Sequence, residues 1–180
     1  ILGILFCVCL VASNLLETKI VEIGPISLTG GFVVFPISYI INDCIAEVWG
    51  YKKARLIIWL GFLMNFLVIG FSQIVLLLPS PEYWTGEGAF RFVFGMAPRI
   101  ACASLAAFLV GSFLNAYVMS KMKLASQGRN FSLRAVMSTL FGESADSLIF
   151  FPMAFGGMIP FEEMLKLMLI QVVAKTLYEI

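Results

Sequence analysis

The run LIIWLGFLMNFLVIGFSQIVLLL, Leu56–Leu78, decides the fold. It carries no charged residue, and as an α-helix it extends ~33 Å at ~1.5 Å per residue. That length matches the ~30 Å hydrocarbon core of a bilayer. A spanning β-barrel would instead alternate apolar and polar residues over segments of about 10. The remainder of the 180-residue chain has the same character, being 61% hydrophobic and 13% charged, with 17 Phe and 9 Met. Soluble domains are about 45–50% apolar and about a quarter charged. A single soluble domain of this size could not bury so much apolar surface, so the solvent is lipid. A soluble enzyme and a disordered chain are excluded, and a net charge of +1 lacks the basic footprint of a nucleic-acid binder.

Working outward from this run, six segments are predicted to span the membrane: roughly 1–17, 31–50, 54–78, 98–120, 132–155 and 161–180. They use most of the chain, so the expected fold is an all-α integral membrane protein, a single six-helix transmembrane domain over 1–180. Lys52, Lys53 and Arg55 after the second segment, and Lys121, Lys123, Arg129 and Arg134 after the fourth, mark the cytoplasmic side. Glu82 and Glu87, then Glu162 and Glu163, lie in the opposite loops. Both termini are thus expected in the cytoplasm. The first residues lack a charged n-region and a small-residue cleavage site, so no signal peptide is expected, and the chain is read as beginning inside its first helix.

Gly24-Pro25 and Gly30-Gly31 predict a turn between the first two helices. Pro36 either kinks helix two or starts it, leaving 31–35 as a re-entrant piece. Pro98 fits the first turn of helix four, and Pro152 bends or ends helix five. Ala103, Ala107 and Gly111 form a row of small residues that admits a close helix neighbour, read as internal packing rather than a dimer seam.

Cys7, Cys9, Cys44 and Cys102 all lie in apolar runs without C-x-x-C spacing and read as small buried hydrophobes. With no His there is no H-E-x-x-H metal site and no imidazole-dependent triad. No cofactor and no metal site is expected.

The informative residues are polar ones inside apolar segments. An ionisable group near mid-membrane costs at least ~2.5–3.5 kcal/mol, so it faces a cavity or the bundle interior. Helix one offers Ser13 and Asn14, helix two Asn42, Asp43 and Glu47, and helix four Arg99, Ser104 and Asn115. Helix five aligns Thr139, Glu143, Asp146 and Ser147 as one stripe, and helix six aligns Gln171 and Lys175. A shared central cavity is the most economical arrangement. Depth counting lets Arg99 meet Asp146 from the outer side and puts Lys175, Asp43 and Glu47 toward the inner side. It leaves Glu143 near mid-depth with no dedicated cation. Acids outnumber bases, and carboxylates only accept hydrogen bonds. They suit a ligand with adjacent N–H donors, such as a guanine-like edge, with Asn and Gln amides and aromatic faces completing the site. Alternatively, such pairs simply hold the bundle together, or Glu143 and Asp146 serve an intramembrane enzyme as an acid/base or Mg²⁺ pair.

At these residues a resemblance enters. NDCIAEVWGYKKAR (Asn42–Arg55), RIACAS (Arg99–Ser104), STLFGESADS (Ser138–Ser147) and Lys175, with Ser13-Asn14 and Phe35-Pro36, resemble the queuosine precursor transporter family in order over nearly the whole chain. That family was earlier catalogued as a vitamin uptake family. The resemblance implies a multi-pass importer in the cytoplasmic (inner) membrane of a prokaryote. Its substrate would be a 7-deazaguanine base: 7-cyano-7-deazaguanine, 7-aminomethyl-7-deazaguanine or queuine. It implies a fold similar to the substrate-binding subunit of energy-coupling-factor vitamin importers. Asp43, Arg99, Glu143, Asp146 and Lys175 would surround the substrate, with Asn14 and Gln171 adding amide contacts. Helix one lacks the small-residue row that those subunits use for docking, which favours a stand-alone carrier over one with a separate energising module. A homodimer stays open, and a vitamin-importer subunit is the alternative reading. The partners expected are the small substrate and the bilayer, with no nucleic acid.

Overall fold

The computed structural model describes residues 1–24, 26–125 and 131–179. Among the described residues there are six α-helices: α1 Leu2–Leu16, α2 Phe35–Trp49, α3 Tyr51–Leu76, α4 Glu87–Ala125, α5 Phe131–Phe155 and α6 Phe161–Glu179. A two-stranded hairpin, β1 Ile20–Ile23 and β2 Ile26–Thr29, follows α1 and runs into a 3-10 turn at Gly30–Val33. The chain is therefore mostly helical. α3 over Lys52–Leu76 and α4 over Glu87–Met122 are long and apolar enough to cross a membrane. Only 28% of the most apolar window of each is buried. A core helix of a soluble protein would hide most of such a surface; these helices turn Trp59, Leu63, Phe71, Leu109 and Phe113 outward.

Two compact units divide the chain: Ile1–Val21 with Thr29–Ala101, and Glu22–Leu28 with Cys102–Ile180. In the first, α1, α2 and α3 pack on one another around Phe6, Ile41, Ile45 and Ala54, and a second cluster joins Ile69, Ala97 and Ala101. Gly61 makes the α1–α3 approach feasible, because a Cβ there would lie 2.9 Å from Phe6 Cε1 and 3.0 Å from Leu10 Cδ2. Gly50, at φ +81°, turns the chain from α2 into α3. Lys52, Lys53 and Arg55 consequently belong to the opening turns of α3 and not to a link; all three are exposed. α2 begins at Phe35, so Pro36 falls in its first turn, where a missing N–H costs nothing. The 3-10 turn packs on α1, and Gly30 N donates to Lys19 O at 2.7 Å.

Helix four departs from expectation. It starts at Glu87, well before Pro98, which lies inside it. Glu87 sits in the first turn, where a carboxylate complements the helix dipole, and accepts a 2.6 Å bond from Arg91 Nε one turn on. The physical reason that Pro98 does not begin the helix lies on α3. A proline at position 98 cannot donate to the carbonyl of residue 94. Gln73 Nε2 donates to Phe94 O instead, at 2.8 Å. The side chain of a neighbouring helix thus supplies the bond that the proline withholds, and the helix runs through. The hairpin is a second departure from the expected simple turn. Gly24, at φ +64°, reverses the chain between two short β-branched-rich strands.

In the second unit α5 packs on α6 across the turn 156–160, in which Gly157 has φ +82°. α4 meets α5 glycine to glycine. A Cβ on Gly111 would lie 2.9 Å from Gly142 O and 3.1 Å from Asp146 Cβ, and one on Gly142 would lie 2.8 Å from Asn115 Cβ. The small residue at position 111 is therefore used for internal packing, beside buried Ala103 and Ala107. α5 continues through Pro152 and stops at Phe155. Arg134, read from sequence as a loop cation, lies in the first turn of α5 and is buried at 6% exposure, because the helix already begins at Phe131.

Candidate site on helices five and six

The glycine contact brings α4 backbone against the α5 face that carries the polar stripe. On that face Glu143 is buried at 7% exposure, Asp146 is half-buried and Ser147 is 1% exposed. From α6, Lys175, 7% exposed, reaches into the stripe. Its Nζ lies 3.0 Å from Glu143 Oε2 and 3.2 Å from Asp146 Oδ2. One ammonium thus serves two carboxylates, which one helical turn holds on the same side of α5. With both acids ionised, the triad carries a net charge of −1. Gln171, one turn before Lys175, is buried at 3%. Two hydroxyls next to triad members in sequence, Ser147 Oγ and Thr176 Oγ1, are buried and make no hydrogen bond.

This corrects the expected pairing. Glu143 has a cation, and the partner of Asp146 is Lys175, which depth counting had put toward the other side. The count compared Cα levels. α5 and α6 run antiparallel from a short turn, so Asp146 lies ~14 Å, Glu143 ~18 Å and Lys175 ~21 Å along their helices from it. Helical side chains lean toward their own N-terminus, which for Lys175 on α6 is toward that turn and for the two acids on α5 is away from it. The long lysine stem leans back across the difference and delivers its charge at the level of the acids.

The other expected site residues belong to the first unit. Asn14 is buried at 5% on α1, and its Nδ2 has no hydrogen-bond partner. Beside it Ser13 Oγ donates to Gly31 O at 3.5 Å. Arg99 is exposed on α4. Asp43 lies on α2, and its side chain, like that of Glu47, is outside the described residues. Sequence reasoning missed Glu17, which is 4% exposed with its carboxylate packed over Gly31. Its position three and four residues after Asn14 and Ser13 was a usable signal. It also missed Asn65, 1% exposed in the middle of the most apolar run. Among the described residues no three His, Cys, Asp or Glu side chains gather as a metal-binding group.

Comparison with known proteins identifies the lineage. Residues 29–180 match the family described as "Putative vitamin uptake transporter". A "Probable queuosine precursor transporter" of Bacillus subtilis (strain 168) is 32% identical over 151 residues, covering 83% of this chain and 66% of that protein. The "Queuosine precursor transporter" of Escherichia coli (strain K12) is 30% identical over 154 residues, covering 86% and 67%. A Haemophilus influenzae "Probable queuosine precursor transporter" is 29% identical over 127 residues, covering 71% and 52%. The chain thus spans about two thirds of the first two relatives and about half of the third. No solved structure matches it. With the family match running over most of its length and the E. coli relative alongside, the chain belongs to the "Putative vitamin uptake transporter" family.

Proposed function

We propose that this chain is a membrane transporter that imports queuosine precursors, the 7-deazaguanine bases 7-cyano-7-deazaguanine, 7-aminomethyl-7-deazaguanine or queuine. The reading combines the names of its relatives with one observation. Lys175 is held between Glu143 and Asp146 in a buried position, one ammonium against two carboxylates. A guanine-like ring presents a ring N–H and an exocyclic amino group side by side, and a carboxylate accepts both. The substrate competes with Lys175 for one carboxylate and replaces the hydrogen bond that acid loses, while Lys175 stays paired with the other, so no buried charge is stranded. Gln171, one turn along α6, is proposed as an amide contact. For Asn14, Asp43 and Arg99 the proposal rests on the family resemblance alone.

The same reading takes the six helices as six spans of one domain in a prokaryotic cytoplasmic membrane, with both termini in the cytoplasm. It treats the chain as a stand-alone carrier without a catalytic role. Lys175 itself argues against the enzyme alternative, because an ammonium between Glu143 and Asp146 repels a divalent ion from the place where the two acids would bind it. Uptake into proteoliposomes tests the transport reading. Labelled 7-cyano-7-deazaguanine is expected to accumulate in vesicles carrying the full chain and to be displaced by queuine. Uptake no faster than in empty vesicles would refute it.

A further inference from the structure

Three hydroxyls of this chain satisfy themselves locally. Ser144 Oγ donates to Leu140 O, Ser72 Oγ to Ile69 O and Thr18 Oγ1 to Leu15 O, each at 2.7 Å. These are the usual bonds to a carbonyl three or four residues back. Ser147 is different. It is 1% exposed, and its Oγ makes no hydrogen bond, although α5 places the Glu143 carbonyl four residues behind it. An unpartnered buried hydroxyl is unfavourable, and here a local remedy goes unused. The side chain is turned to something else.

Its place on the helix says what that is. Ser147 follows Asp146 directly and stands one turn from Glu143, ~5–6 Å between Cβ atoms. Both carboxylates are acceptors, and Lys175 is engaged with both. Next to its two N–H donors a guanine-like edge carries a carbonyl oxygen, which a carboxylate would repel. An uncharged donor one turn away complements that oxygen.

Resting on the reading that Glu143 and Asp146 receive the base, we propose that Ser147 is a substrate contact whose hydroxyl donates to the ring carbonyl beside the N–H taken by a helix-five carboxylate. It would select a ring with a carbonyl at that position.

The test uses the full chain in detergent and the dissociation constant of 7-cyano-7-deazaguanine from ligand-dependent thermal stabilisation. Ser147→Ala is expected to bind about tenfold more weakly, as for a lost neutral hydrogen bond left with an unpaired partner. Its melting temperature without ligand is expected to equal or exceed that of the wild type, since an orphaned hydroxyl is removed. Ser147→Thr, which keeps the hydroxyl, is expected to bind within about threefold of the wild type. Wild-type affinity in Ser147→Ala would overturn the proposal. So would a loss in Ser147→Ala that comes with a lower unliganded melting temperature and is shared by Ser147→Thr, since that describes packing alone. Glu143→Gln separates the two levels: if it abolishes binding while Ser147→Ala does not weaken it, only the Ser147 assignment falls. If the wild type binds no deazaguanine, the site reading falls with it.

Discussion

Replacing Gln73 by Leu should reveal how a proline is accommodated in the middle of a long apolar helix. Pro98 strips the Phe94 carbonyl of its helical donor, and Gln73 Nε2 occupies it at 2.8 Å. Both residues are half-buried, so the bond is neutral and only partly shielded from water. A neutral bond contributes about 1 kcal/mol, and stranding a buried acceptor costs about 1–3 kcal/mol. For half-burial the expected destabilisation is about 1–2 kcal/mol. In a Pro98→Ala background the new N–H takes the Phe94 carbonyl, and Gln73→Leu should cost less than about 0.5 kcal/mol. The coupling in the double-mutant cycle is then about 1 kcal/mol. Reversible unfolding of the detergent-solubilised protein, followed by circular dichroism across a denaturant series, measures all four variants. Equal costs of Gln73→Leu in the two backgrounds would refute the reasoning, because they would show that the amide covers no vacancy left by the proline.

Other outcomes follow from the second unit. Lys175→Met leaves two buried carboxylates without their common cation and should destabilise the protein by about 3 kcal/mol, read from the same unfolding series, and adding Glu143→Gln should recover part of that loss. Gly142→Ala places a methyl 2.8 Å from Asn115 Cβ and should cost about 1–3 kcal/mol, whereas Gly70→Ala, with nothing within 4 Å, should be neutral or mildly stabilising.

Most of the helices were legible because apolar runs of membrane length have few other readings. Leu56–Leu78 anticipated α3 closely, and the polar spacing of Glu143, Asp146 and Ser147 anticipated one face of α5. What failed depended on partners distant in sequence. Pro98 marks a helix start only if its lost bond goes unreplaced, and the replacement comes from Gln73, on another helix. The hairpin at Ile20–Thr29 consists of strands too short to leave a periodic signal. The cation of Glu143 was misassigned because counting residues locates Cα atoms, while Lys175 delivers its charge well away from its own Cα. Glu17, at the end of α1, drew no reading from sequence, because only the fold of Gly30-Gly31 back over that end buries it.

The central claim is that the acids of helix five receive a deazaguanine base. Its most direct test is ligand-induced thermal stabilisation of the purified full chain with 7-cyano-7-deazaguanine, 7-aminomethyl-7-deazaguanine, queuine, guanine, biotin and riboflavin. Glu143→Gln and Asp146→Asn are measured alongside. A ligand that binds only the folded state raises the melting temperature once its concentration exceeds Kd. The account predicts a selective rise with at least one deazaguanine that either substitution removes. No rise with any of the three deazaguanines, or a rise that persists undiminished in both variants, would contradict it.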